Sequence, residues 1–246
     1  MPNRYGWKKD KVDVRDLKFS PPSLVELPSS VDLRGDCPPI YDQGKLGSCT
    51  ANAIAGAFEF ELHRAGMLDL MPSRLFIYYN EREMEGTVGE DDGAEIRDGM
   101  KSIDKLGVCG ELEWPYDIYK YAEKPPQACY DFALLNRAIQ YQSINQDLNH
   151  LKLCLADGFP FVFGMDVYPA FESQEVAKTG IVPMPGPDEN SIGGHAVMCV
   201  GYDDSKQAFL TRNSWGMGWG LDGHFYLPYD YAIKLGSDFW TIRSVE

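Results

Sequence analysis

Hydrophobic spacing changes period midway along the chain, and that change restricts the fold more than any other feature of the sequence. Between residues 48 and 156 apolar side chains recur at helical steps: Ile54, Phe58 and Leu62, then Ile96, Met100 and Ile103, then the run over 148–156. The first helix starts at Ser48 or Cys49, with Ser48 as N-cap, alanines at 51, 53, 55 and 57, and Gly66 as its stop. A second helix follows Pro72-Ser73 as RLFIYYNEREM, the third ends at Gly107, and the fourth ends at Gly158. From residue 160 the pattern shortens. PFVFGMDV, HAVMCVGYDD, AFLTRN, GHFYLPY and FWTIRS are apolar or alternating runs parted by Gly, Pro, Asp and Asn, and they read as strands. A helical front half and a strand-rich back half predict an α+β protein of two lobes with a cleft between them.

Composition narrows the partners. The 246 residues suit one large domain or two small lobes, and 44% hydrophobic with 24% charged residues excludes disorder and collagen-like repeats. With 23 Lys plus Arg against 37 Asp plus Glu, the net charge is −14, which argues against nucleic acid or an anionic membrane as the main partner. The longest apolar stretch, 159–165, is broken by Pro160 and Gly164 and is too short to span a bilayer. No charged-then-apolar leader follows Met1, so a native start at Met1 implies the cytoplasm, whereas a removed leader implies a secreted or lysosome-like protein. Six cysteines without a C-x-x-C pair do not suggest a zinc ribbon or a disulfide scaffold. Neither a metal cluster nor a phosphate loop is visible, so no cofactor is expected.

Residues 1–27 stand apart. Arg4, Lys8, Lys9, Lys11, Arg15 and Lys18 outnumber Asp10, Asp13 and Asp16, and Pro21-Pro22 closes the segment, which reads as an extended arm and not a packed element.

Three short blocks carry chemistry. In QGKLGSC (43–49), Gly44 and Gly47 allow a tight turn, and Cys49 lies where a helix begins. Free backbone N–H groups and the positive helix end favour thiolate there. An ordinary buried cysteine opening a core helix has the same local pattern. In GGHAV (193–197) a histidine follows two glycines and opens an apolar strand. His63, His150 and His224 have no such setting. In RNSWGMGWG (212–220) an asparagine precedes an indole by two residues, a spacing that can orient an imidazole and shield its hydrogen bond from water. In order, Cys, His and Asn supply nucleophile, base and orienting group, and Gln43 upstream offers an amide donor to a developing oxyanion.

These blocks, at 43–49, 194–200 and 213–220, resemble the signature blocks of the papain and cathepsin family of cysteine peptidases. The resemblance runs over nearly the whole chain from Leu27: LPSSVDLR resembles the family's mature N-terminus, and Gly107-Val108 through Trp114-Pro115-Tyr116 its G-[IV]…YPY stretch. It implies the papain-like fold, a helical left lobe of about 41–138 and a β-barrel-like right lobe of about 139–246 with the lead-in 28–40. The peptidase domain is then 28–246, and 1–27 form the arm. It further implies Cys49 as nucleophile, His195 as its imidazolium partner, Asn213 as orienter and Gln43 with the Cys49 backbone N–H as oxyanion hole. Trp215 covers the His–Asn contact and Trp219 buttresses it. Asp92, Gly93 and Ala94 mark the edge that pairs with substrate, Gly194 lies opposite, and Ser237 or Asp238 floors the pocket for the residue second before the scissile bond. The implied activity is peptide-bond hydrolysis through a thioester acyl-enzyme, as an endopeptidase and a monomer.

The chain departs from the family at Leu46, where a disulfide-forming cysteine is usual, at Thr50 in place of an aromatic, and at Gly194 in place of Asp. From Glu81 to Asp98 eight acids face two arginines. A solvated face accounts for this run, and acids beside the groove would also favour basic substrates. The basic arm, opposite in sign, is expected to lie over the cleft and restrain activity, or else to staple the lobes from behind. A catalytically silent binding protein and an acyl transferase acting on amines are the competing functions.

Overall fold

The computed structural model describes residues 5–21, 26–67 and 70–246. The chain begins with β1 (Trp7–Lys8) and β2 (Ser30–Asp32), then enters α1 (Cys49–Arg64), α2 (Arg74–Glu85), β3 (Ala94–Glu95), α3 (Ile96–Lys105) and α4 (Gln127–Ala133). It continues through β4 (Ala138–Ser143), α5 (Leu148–Ala156), β5 (Phe161–Val167), α6 (Gln174–Thr179) and β6 (Gly193–Asp203). Strands β7 (Ala208–Arg212) and β8 (His224–Pro228), helix α7 (Tyr229–Leu235) and β9 (Gly236–Val245) complete it.

The helices expected from the sequence form, with ends set by local chemistry. Ser73 Oγ accepts from Phe76 N–H to open α2, and Gly86 closes it in the left-handed region at φ 75°. Asp147 accepts from the N–H groups of Asn149 and His150 to open α5. Helix α1 differs from a one-striped helix. Every residue from Cys49 to Leu62 is buried, because α1 lies between α2 and α3 on one side and β6 and β9 on the other. The short helices α4, α6 and α7 and the edge strand β4 escaped the sequence reading. Strand β4 alternates weakly because its middle residues face solvent.

The sheet has the order β4-β9-β5-β6-β7-β8, with β2 added along β6, and every pair in it is antiparallel. Its two outer strands do not pair with each other, so the β-barrel-like right lobe is an open sheet. Helix α1 covers one face, and closure would have to displace it.

Alternation along the strands explains the apolar runs. Val162, Ala196, Met198, Val200 and Trp240 face a core shared with α1, α2 and α3. Phe161, Phe163, Val197, Cys199 and Phe239 face a second core closed by α5, α6 and α7. A sheet buried on both faces has few polar positions to show.

The arm is extended, as expected, yet it is packed. Strand β1 pairs in parallel with β3, and Phe19 is buried in the second core with its N–H on Ser143 O at 2.8 Å. Trp7 and Phe19 each find an apolar recess, while Val12 and Val14 between them stay exposed. No described helix is long and apolar enough to cross a membrane.

Candidate active site

Cys49 is the first residue of α1, and its preceding turn is pinned from three directions. Gly47 N–H donates to Asp91 Oδ1 at 3.0 Å, and Tyr78 O–H donates to the same oxygen at 2.6 Å. Gln43 lies across the turn, its Nε2 donating to Leu46 O at 3.0 Å and its Oε1 accepting from Ser214 Oγ at 2.5 Å. Ser48 occupies the N-cap position without capping by its side chain. Its Oγ instead shares a hydrogen bond with Tyr116 Oη at 2.5 Å and accepts from Asn52 Nδ2 at 3.1 Å. As the first residue of α1, Cys49 has an N–H with no carbonyl four residues back to receive it within the helix.

Strand β6 brings the histidine to the same place. Ala196 N–H donates to Cys49 Sγ at 3.4 Å, so the residue after His195 touches the sulfur. His195 Nε2 meets Asn213 Oδ1 at 2.8 Å, and a carbonyl oxygen can only accept, so Nε2 carries the proton and Nδ1 is left to take one. Asn213 Oδ1 also accepts from Ser214 N–H at 2.8 Å, which fixes the carboxamide. Trp215 stacks on the imidazole at 5.0 Å and 29°, and Trp219 meets Trp215 edge-on at 5.2 Å. The ring is thereby held between an aromatic stack and the Asn213 carboxamide.

The thiol's own environment is dry. Burial pushes the Cys49 thiol up to about 12, while N–H groups of Ala196, Gly6 and Thr50 pull it down. Burial raises the other five thiols too, so acidity alone does not single out Cys49. Its position does. All six cysteines are free thiols. Among the described residues no group of three or more His, Cys, Asp or Glu is arranged to hold a metal ion.

What dries the thiol is the arm. Gly6 O accepts from Ala94 N–H at 2.8 Å on one wall, and Gly6 N–H donates to Gly194 O at 3.1 Å on the other. Gly6 passes so close to the turn that a Cβ on it would lie 1.7 Å from Gly47 O. Tyr5 sits edge-on to His195 at 6.1 Å and hydrogen-bonds Glu172, whereas Trp7 donates to Asp238 Oδ2 at 3.1 Å. The residues expected to meet substrate meet this arm: Asp92 pairs with Lys8 at 3.2 Å, Gly93 abuts Gly6, Ala94 and Gly194 bond it, and Asp238 holds Trp7. Ser237 and Trp7 both line an open pocket beside the arm, with Gly194 and Gly236.

The acidic run from Glu81 to Asp98 is only partly a solvated face. Glu81 is buried, accepts from Thr50 Oγ1 at 2.5 Å, and is raised by burial. Glu85 Oε1 accepts from Glu95 N–H at 2.7 Å. Buried Arg82 donates to the carbonyls of Tyr78, Val88 and Glu90, which ties down the loop that presents Asp91. Asp91 as the pin of the turn before Cys49 is not visible in the sequence, since its acidic neighbours mask it.

Residues 27–237 match the family described as papain family cysteine protease. Over 244 residues the chain is 48% identical to an uncharacterized peptidase C1-like protein of Acanthamoeba polyphaga mimivirus, covering 95% of this chain and 74% of that one. It is 29% identical to procathepsin L of Felis catus, over 86% of this chain and 64% of that protein's length. Among solved structures, xylellain, a cysteine protease from Xylella fastidiosa, superposes with a TM-score of 0.92 at 44% identity, covering 100% of this chain and 97% of that one.

Proposed function

The chain belongs to the papain family of cysteine proteases, and from that footing we propose that it cuts peptide bonds within polypeptides through a thioester on Cys49, restrained by its own residues 5–11. It is a hydrolase, and its substrates are polypeptides. One observation carries the finer reading: a polypeptide strand already lies across the sulfur, held by main-chain hydrogen bonds from both walls. Such bonds read a peptide backbone whatever its sequence. The strand continues to both sides of Gly6, toward Trp215 and toward Asp238, which suits a substrate cut in its interior. In this reading the protein acts as a monomer of one domain, 28–246, carrying the arm.

In this reading His195 Nδ1 takes the Cys49 proton, and the thiolate attacks the substrate carbonyl carbon. The Cys49 N–H and Gln43 Nε2 receive the developing oxyanion. The imidazolium, oriented by Asn213 and kept dry by Trp215, protonates the leaving amine. Water then enters, His195 takes its proton, and the thioester is hydrolysed.

The polarity of the arm supports a zymogen-like restraint. Gly6 turns its carbonyl to Ala94 and its N–H toward the sulfur and Gly194, so the nucleophile faces an amide hydrogen and not a carbonyl carbon. The arm occupies the groove without offering a bond to cut.

A protease site inserted at residues 22–25 of the full chain allows the arm to be clipped after folding. Clipping should release internal cleavage of peptides and expose Cys49 to iodoacetamide, and Cys49→Ala should abolish the cleavage with circular dichroism unchanged. A clipped chain that is alkylated at Cys49 yet cuts no peptide would overturn the reading.

A further inference from the structure

Gln43 and Cys49 belong to different sides of the molecule. The Gln43 N–H donates to Ser214 O at 2.9 Å on the sheet side, whereas Cys49 opens α1 and is packed with the helices. An oxyanion shared between the Gln43 amide and the Cys49 N–H needs those two sides held at one spacing. The restraints already described each act within one side: Asp91 holds Gly47, and Ser214 holds Gln43. The donation from Gln43 Nε2 to Leu46 O engages the same nitrogen that would meet the oxyanion.

A circuit of polar side chains spans the two sides, and chemistry fixes the direction of each bond. The Gln43 carbonyl can only accept, so the single proton of Tyr116 Oη goes to it, at 3.0 Å. Tyr116 Oη then accepts from Ser48 Oγ at 2.5 Å, and Ser48 Oγ accepts from Asn52 Nδ2 at 3.1 Å. Asn52 Oδ1 accepts from Arg74 Nη1 at 3.3 Å. The same Nη1 donates to the carbonyl of Asp42, next to Gln43, at 3.2 Å, which closes the circuit. Arg74 is its hub. It is buried, with its guanidinium carbon 4.0 Å from the centre of the Tyr116 ring and 5.0 Å from that of Tyr41. Its Nη2 donates to Glu111 Oε1 at 3.1 Å, the oxygen that also accepts the Tyr116 N–H at 2.8 Å. A lysine carries the charge but lacks the planar fork that serves three acceptors at once.

We propose that Arg74 is a positioning residue of the peptidase: through Asn52, Ser48 and Tyr116 it sets the separation of Gln43 from the Cys49 N–H, and with it the fit of the site to an oxyanion. This rests on the peptidase reading above and deepens it. The circuit acts on the two donors and leaves the reactivity of the sulfur to His195.

Two measurements test it. With the full chain folded and then clipped at 22–25, kcat and KM for a coumarin-amide peptide are compared with the rate at which iodoacetamide alkylates Cys49. That alkylation displaces iodide at a saturated carbon, so no oxyanion forms. Tyr116→Phe keeps the aromatic face against Arg74 and breaks the circuit. It should lower kcat by about tenfold with KM and alkylation near native, and Arg74→Gln should lower kcat by about a hundredfold. Arg74→Lys should fall with Arg74→Gln. In a Gln43→Ala background Tyr116→Phe should cost about twofold or less, because one of the two donors being spaced has gone. The same factor in both backgrounds, a native kcat in Arg74→Lys, or alkylation that falls in step with kcat would overturn the proposal.

The second measurement needs no turnover. A peptide aldehyde adds to Cys49: its carbonyl carbon bonds to Sγ, the thiol proton passes to the carbonyl oxygen, and that oxygen takes the place of the oxyanion. Its affinity for the clipped chain is read by protection of Cys49 from iodoacetamide. Tyr116→Phe should weaken it by about tenfold, and by about twofold or less in the Gln43→Ala background. Equal affinity in the native protein and Tyr116→Phe refutes the positioning role whatever becomes of the peptidase reading, and an aldehyde that fails to protect even the native protein refutes both. Affinities that rank as expected in a chain that cuts no peptide sink that reading and leave the positioning role standing.

Discussion

The two walls of the cleft grip the arm by different physics. On the helical wall the side-chain contacts are ionic, beside the main-chain pairing of β1 with β3: Lys8 reaches Asp92 at 3.2 Å and Glu85 at 3.5 Å, and Lys11, 91% exposed, reaches Glu95 at 3.4 Å. Such pairs contribute roughly 0–1 kcal/mol each and weaken in salt. On the sheet wall the contacts are dry and shaped. Trp7 enters a slot between Gly164 and Gly194, and Trp240 Nε1 donates to Asp10 Oδ2 at 2.7 Å, while Asp10 Oδ1 accepts from Arg97 N–H of α3 at 3.1 Å and so ties the two walls together. The comparison teaches that charge complementarity brings the arm to the groove and sets its register, whereas the sheet wall supplies the hold.

The strongest test of that division is Gly6→Ala, because Gly6 sits between both walls. Its new Cβ would meet backbone on the turn, which cannot shift without moving Cys49. Labelling of Cys49 in the unclipped chain should rise by about a hundredfold, the scale of overpacking against rigid atoms. A native rate would mean that neither wall fixes the path of the arm.

A smaller effect reads Asp10, which is held by Trp240 of the sheet wall and by Arg97 of α3. Burial, together with the nearby Asp238 carboxylate, pushes Asp10 up to about 7, against the opposing pull of Arg97 and Trp240. Closure thus favours the protonated acid, and its contribution is complete below the ordinary carboxylate range and is lost as pH rises through about 7. From pH 6 to 8 the closed state should weaken by up to about tenfold. The labelling rate of the unclipped chain, divided by that of the clipped chain to cancel ionisation of the thiol, reads this directly. Asp10→Asn should flatten the dependence, and a slope that survives the substitution refutes this assignment.

The smallest effect belongs to the helical wall. Raising NaCl from 0.1 to 1 M should speed labelling by about two- to threefold through the exposed lysine pairs, and Lys8→Gln should remove part of that response. A salt effect larger than the pH effect would reverse the ranking of the walls.

The candidate site was legible because Cys49, His195 and Asn213, which the fold brings together, each sit in a distinctive local setting: a helix start, a glycine-preceded strand, an indole-flanked turn. The strands were legible for a similar reason, since a sheet buried on both faces writes continuous apolar runs. What stayed hidden depends on contacts between distant segments. No local pattern states that Trp7 will lie between Gly164 and Gly194, or that Asp91 among its acidic neighbours will hold Gly47. Ser48 resembled a cap, yet Tyr116 and Asn52, far away or one turn on, took its hydroxyl. Helix α7 leaves no sequence signal of its own, and the apolar run of β8 extends to Tyr229, its first residue.

The alternation along β6 separates the reacting partners. Cys49 is packed into the core shared by the helices, and Trp215, the lid of His195, into the core behind the sheet. The gap between sulfur and imidazole, which a proton crosses in the proposed mechanism, is therefore a joint between two separately packed interiors, a dimension that neither interior determines by itself.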